Sequence, residues 1–197
     1  MERETALAIV HEYVHNLGLI RHMLSVEAAM RAYAPDFGGD PDEWGLAGLL
    51  HDFDWEIHPD MARHPQAGAE ILRARATPEP IIRCILSHAD HTGVPRQTPM
   101  EKALFACDDV TGLISAVALV RPSRSLDDLT ASSVRKKWKD ARFAATVSRE
   151  DIRRGAAELG VELWAHVDRV IAAMRLIGAE LGFETLPQPA SGSAELV

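Results

Sequence analysis

The stretch LLHDFDWEIHPDMARHP, Leu49–Pro65, sets His51 and Asp52 side by side behind an apolar run, then adds Asp54, Glu56, Asp60, His58 and His64 before its closing proline. Imidazole nitrogens and carboxylate oxygens at that density are the donors of a transition-metal site. The doublet ends a helix, EWGLAGLLHD, which Asp40 or Asp42 together with Pro41 can start. A loop through His58 and Pro59 leads to His64 and Pro65, where the next helix, AGAEILRARA, opens.

Outward from this stretch, apolar residues recur at helical spacing and none of the chain alternates like a strand. Thr5 caps a helix to about His15. NLGLIRHMLSVEAAMRAYA is a longer helix whose Leu19, His22, Met23, Val26, Met30 and Tyr33 fall three or four apart, so His22 lies on its buried stripe. TPEPIIRCILSHADH carries Ile82, Ile85, Leu86 and His88 on one side. TPMEKALFACDDVTGLISAVALV is the longest apolar helix, stopped by RPS, with Asp108 and Asp109 in its middle. Beyond Arg121 short helices alternate with loops, and a last helix runs from about Glu162 to Leu181. The expected fold is all-α, a single compact multi-helix bundle over residues 1–183, with a flexible tail over 184–197 that is too poor in apolar residues to pack.

The chain has 197 residues, 47% of them hydrophobic, enough to bury a core. Its formal charge of −8 gives no general attraction to a nucleic acid polymer or an anionic membrane surface, so an anionic small-molecule substrate must be met by local positive charge. Cys84 and Cys107 lack CxxC spacing and read as reduced core thiols. The charged N-terminus is unlike a signal peptide, and no uninterrupted apolar run reaches the roughly 18 residues of a membrane span; a cytoplasmic location is expected. The GLISAVALV segment can face either the core or a second subunit, so an oligomer stays open.

His22, His51, Asp52, His64, His88 and Asp108 come from five helices in order. Nitrogen and oxygen donors without thiolate suit manganese, iron, cobalt, nickel or zinc in a catalytic site rather than structural zinc. Asp109 competes with Asp108, the two lying about 100° apart around their helix.

This order of residues, with GLAGLL ahead of the doublet, resembles the HD-domain superfamily of metal-dependent phosphohydrolases over about residues 20–112. The wider sequence, including a C-terminal helical extension over 121–183, resembles a bacterial subfamily of small HD hydrolases of unassigned substrate. The resemblance implies that His22, His51, Asp52 and Asp108 hold a first divalent metal, and that Asp52 bridges to a second held by His64 and His88. It favours Asp108 over Asp109. It also implies an enzyme that hydrolyses a phosphomonoester or phosphodiester, a nucleotide among the candidates, by a metal-bound hydroxide. Relatives that activate oxygen on a mixed-valent di-iron pair offer an alternative, and a non-catalytic HD ligand-binding module a second.

Many relatives continue the doublet as His-Asp-Ile-Gly-Lys, whereas Trp55 stands here at the lysine position and Asp54 and Glu56 bring the opposite charge. Asp54 then either orients a ligand histidine, the preferred reading, or protonates the leaving group as a catalytic acid. Phosphate contacts are sought in Arg121, Lys136 and Lys137 of the basic runs RPSRS and RKKWKDAR, whose competing reading is a solvated face. His91, three residues after His88, is a further substrate candidate. His11, His15, His58 and His166 read as surface or cap histidines, and Met23, Met30 and Trp44 as core.

Overall fold

The computed structural model describes residues 1–187; most of the expected flexible tail, residues 188–197, lies outside them. The α-helices in chain order are α1 (Arg3–Tyr13), α2 (Leu17–Tyr33), α3 (Pro41–Leu50), α4 (Gln66–Ala74), α5 (Glu79–Ser87), α6 (Pro99–Val120), α7 (Ala131–Trp138), α8 (Arg149–Leu159) and α9 (Leu163–Arg175), with short 3-10 turns at Ala34–Phe37 and Asp90–Thr92. No strand occurs among the described residues, and the fold is an all-α bundle.

Local chemistry sets most of the boundaries. Asn16 starts α2 by accepting from the amides of Gly18 and Leu19 at 2.8 and 3.3 Å. Asp40 starts α3 by accepting from the Asp42 amide, with Pro41 in the first turn. Thr98 and Glu101 close a reciprocal capping box on α6. Each cap gives a partner to amides the helix cannot satisfy itself, worth about 1 kcal/mol. No side chain caps α1, which starts ahead of Thr5 and stops short of His15. The last helix also ends earlier than expected, at Arg175. After it, the Glu184 amide donates to the Arg124 carbonyl and the Leu186 amide to Asp127.

Helix α2 lies most extensively against α3, and α6 packs on α2, α5, α8 and α9. Trp44 to Leu50 of α3 are all buried, so α3 has no polar face and is enclosed by α1, α2 and α5. The approach of α3 to α2 depends on Gly48, where a Cβ would lie 2.8 Å from the Glu27 backbone nitrogen and 2.9 Å from its Cα. Helix α6 is long and apolar enough to cross a membrane by length and composition, but that window is mostly buried inside the bundle. Met23, Met30 and Trp44 are core, and Cys84 and Cys107 are buried free thiols.

His166 departs from the surface reading. Its Nε2–H donates to the Ala106 carbonyl at 2.9 Å, so its Nδ1 accepts from the Tyr33 hydroxyl at 2.7 Å, and the ring joins α9 to both α6 and α2. The buried Val167, Val170 and Ile171 carry His166 inward with them.

Gly48→Ala should destabilise the protein by about 1–3 kcal/mol, because the clash with the Glu27 backbone outweighs the roughly 1 kcal/mol that alanine gains in helix propensity. Urea unfolding followed by circular dichroism reads this as a lower midpoint with an unchanged slope.

Candidate metal centre

His22 sits in the second turn of α2, His51 at the C-cap of α3 with Asp52 next to it, and His88 at the C-cap of α5. His64 immediately precedes Pro65, the N-cap of α4, and Asp108 lies midway along α6. These elements bring all six side chains together as two groups: His22, His51 and Asp108, and Asp52, His64 and His88. His22 Nε2 lies 3.2 Å from His51 Nε2 and 3.0 Å from Asp108 Oδ1. Asp52 stands between the groups. Its Oδ2 is 3.4 Å from His51 Nε2 and 3.7 Å from His22 Nε2, while its Oδ1 is 3.4 Å from His64 Nε2 and 3.6 Å from His88 Nε2.

The outer hydrogen bonds fix which nitrogen of each ring carries the proton. A carbonyl oxygen only accepts, so the Nδ1–H of His51 donates to Gly48 at 2.8 Å and that of His88 to Ile85 at 2.6 Å. His64 Nδ1–H donates to the Asp54 carboxylate at 2.8 Å. The Thr111 hydroxyl gives its one proton to the Asp108 carbonyl at 2.8 Å, leaving its oxygen to accept from His22 Nδ1–H at 3.3 Å. In the neutral rings all four Nε2 atoms therefore present bare lone pairs to one another and to two carboxylates. Such a set of acceptors fits a cation and has little other use for its proximity. The donor chemistry matches divalent transition metals, with His22, His51, Asp52 and Asp108 suited to one ion and Asp52, His64 and His88 to another.

The titration of these groups carries the same sign. Burial works against charge on Asp52, yet neighbouring His51 holds its carboxyl well below the usual range. Burial likewise opposes ionisation of Asp108, and hydrogen bonds with His22 and His51 reverse the outcome. Burial opposes protonation of His51 too, but the two carboxylates raise its pKa well above that of a free imidazole. His88, further from Asp108, is pushed down by burial and then by His51. The field at the centre calls for positive charge.

The remaining acids of the motif have separate tasks. Asp54 is buried, and its two oxygens accept from His64 Nδ1–H and from the Gly68 amide at 2.9 Å. A Cβ at Gly68 would lie 2.6 Å from the Asp54 carboxyl carbon, so only glycine lets α4 start this close. Asp54 thus orients His64, a ligand candidate, and both of its oxygens are engaged within the protein. Glu56 accepts from the amides of His15 and Asn16, both at 2.9 Å, tying the motif loop to the start of α2. Asp60 accepts from the amides of Ala62 and Arg63 within its own turn.

An open cleft of about 470 Å³ leads to the centre, with Asp52, His64, His88 and Asp108 in its floor and Trp55, Met61 and Phe105 on its walls. Trp55 sets its ring edge-on to His64, 4.9 Å between centroids. Asp109 also lines the cleft outside either ligand group; burial, and then Asp108, push its carboxyl up to about 7. His91 reaches the cleft, but its Nε2–H donates to the His64 carbonyl at 2.8 Å.

The basic residues sought from sequence are not among those lining the cleft. Arg121 caps the far end of α6, thirteen residues and therefore about 20 Å along the helix from Asp108, where it pairs with Asp128 and Ser133. Lys136 and Lys137 follow on α7, exposed, with Lys137 over the Phe143 ring. The cleft's one arginine is Arg154 of α8, which no motif singled out. Its signal was present only as SREDIRRGAAEL, an amphipathic helix whose polar face cannot be assigned a neighbour without the fold.

Asp54→Asn should lower metal affinity about 10- to 100-fold while the protein stays folded, since an amide cannot accept from both His64 and Gly68. Metal titration against a competing chelator measures this. Lost turnover with unchanged affinity would restore the proton-donor role.

No curated protein and no solved structure matches the chain. The model of the HD domain family matches residues 19–113, a span that contains His22, Asp108 and every ligand candidate between them. The paired His and Asp groups fall where that match lies, so residues 19–113 form an HD domain.

Proposed function

We propose that this chain is a metal-dependent hydrolase of a small phosphomonoester or phosphodiester, a nucleotide being one candidate. The observation that carries the reading is the division of the Asp52 carboxylate, one oxygen toward His22 and His51 and the other toward His64 and His88. A carboxylate so divided suits two ions of manganese, iron, cobalt, nickel or zinc, held with Asp108 completing the first group. When bound, such ions supply Lewis acidity to phosphoryl oxygens and lower the pKa of a coordinated water.

The chain's own residues supply the positioning. Gly48, Ile85, Asp54 and Thr111 hold the four rings with their lone pairs inward, so ligand geometry is set before substrate arrives. Trp55 and Phe105 give the cleft apolar walls that limit water on the substrate's flanks. A phosphoester gains most from such a centre because its transition state spreads negative charge over phosphoryl oxygens, which an acidic protein cannot otherwise stabilise.

The test is elemental analysis of protein purified without chelators or a histidine tag, alongside phosphate release from p-nitrophenyl phosphate and its bis-ester. Wild type should retain one or two ions per chain and release phosphate or the monoester, and Asp52→Asn should lose metal and at least a hundredfold in turnover. Two iron atoms with oxygen consumption and no hydrolysis would move the chain to the oxygenases. A wild type that takes up none of the five metals would leave a binding module.

A further inference from the structure

Five aspartates line the cleft against a single arginine, Arg154. Its surroundings differ from those of Arg96 in a way that separates structure from binding. Both guanidinium groups lie over the Phe105 ring, Arg96 at 3.8 Å and Arg154 at 4.7 Å from its centroid, and both pair with Asp90. Arg96 spends its donors on Glu158 through Nε and Nη2 and on Ser87 and Asp90 through Nη1, and its side chain is only 9% exposed. Arg154 holds Asp90 and Asp151 through Nη2 alone, at 2.5 and 2.8 Å, and its side chain is 39% exposed. Among the described residues nothing accepts from its Nη1, and Glu158 stays 4.0 Å from its Nε.

Resting on the phosphoester reading above, we propose that Arg154 binds the phosphate oxygens of the substrate in the cleft. Two aspartates and an aromatic ring hold its guanidinium plane in place, so little side-chain entropy is lost when an anion docks, and the Nη1 edge supplies two N–H donors. Asp90 shares its charge between two arginines, which leaves Arg154 less neutralised than its contacts alone imply. Arg121, Lys136 and Lys137, which the basic runs brought forward, do not line this cleft.

The experiment measures binding of inorganic phosphate to the manganese-loaded protein by calorimetry, with metal content and melting temperature checked for each variant. Arg154→Gln should weaken phosphate on the order of 10- to 100-fold, the range for losing one or two charge-assisted hydrogen bonds. Arg154→Lys should fall between, keeping charge without the fork. Arg96→Gln, which loses the same ring and the same aspartate, should change affinity by less than about threefold. In p-nitrophenyl phosphate hydrolysis the Arg154 variants should raise KM more than they lower kcat. Equal loss in Arg96→Gln and Arg154→Gln, no loss in either, or a wild type that ignores millimolar phosphate would overturn the proposal. Arg154-dependent phosphate binding without any ester hydrolysis would uphold the anion site and defeat the hydrolase reading instead.

Discussion

Four imidazole lone pairs and two carboxylates converge on one small volume, and the rest of the bundle serves to hold them there. Against the effect of burial, the two carboxylates raise the pKa of His51 well above that of a free imidazole, so the arrangement favours positive charge at its centre. The stiffness needed comes from elements that cannot shift independently. Helix α3 lies so close on α2 that Gly48 has no room for a methyl group, which fixes His51 and Asp52 relative to His22. Helix α6 is buried along most of its length and fixes Asp108 relative to both.

The acids of the Leu49–Pro65 stretch show how one short segment supports several kinds of constraint. Asp52 faces both histidine pairs, Asp54 faces away and orients His64, and Glu56 accepts from the amides of His15 and Asn16 just ahead of α2. Glu56 and Asp54 thus connect the loop to the start of the second helix and to the fourth while Asp52 looks into the centre. Where a lysine is absent after the doublet, Trp55 sets its ring edge-on to His64, covering a ligand candidate.

Much of the candidate centre was legible because each ligand candidate is a polar residue at a place where helical phase or a helix end makes it conspicuous. His22 breaks an apolar stripe, His51 and His88 terminate apolar helices, and Asp108 interrupts the longest one. The same logic did not single out the arginine that lines the cleft. The run from Arg135 to Arg142 is the densest basic segment of the chain, but it follows Arg121, which lies beyond the C-terminal end of α6 and well away from Asp108 in its middle, so density of charge said nothing about distance. His166 was misread for a related reason: its role depends on Tyr33 and the Ala106 carbonyl, which only the packing of α9 on α2 and α6 brings near.

Helix α8 lies beyond the residues that match the HD domain, yet it shapes the cleft as directly as the helices within it. Arg154 joins α8 to Asp90, two residues after the ligand candidate His88, while Arg96 ties the same aspartate to Glu158 on α8. Next to Asp90, His91 donates to the carbonyl of His64, so the short turn between α5 and α6 is coupled at once to α8 and to a second ligand candidate. A change in α8 therefore reaches the His64 and His88 side of the centre through two consecutive residues, whereas the His22 and His51 side rests on the α2–α3 contact. The two halves of the site have separate mechanical supports, and Asp52 is where they meet.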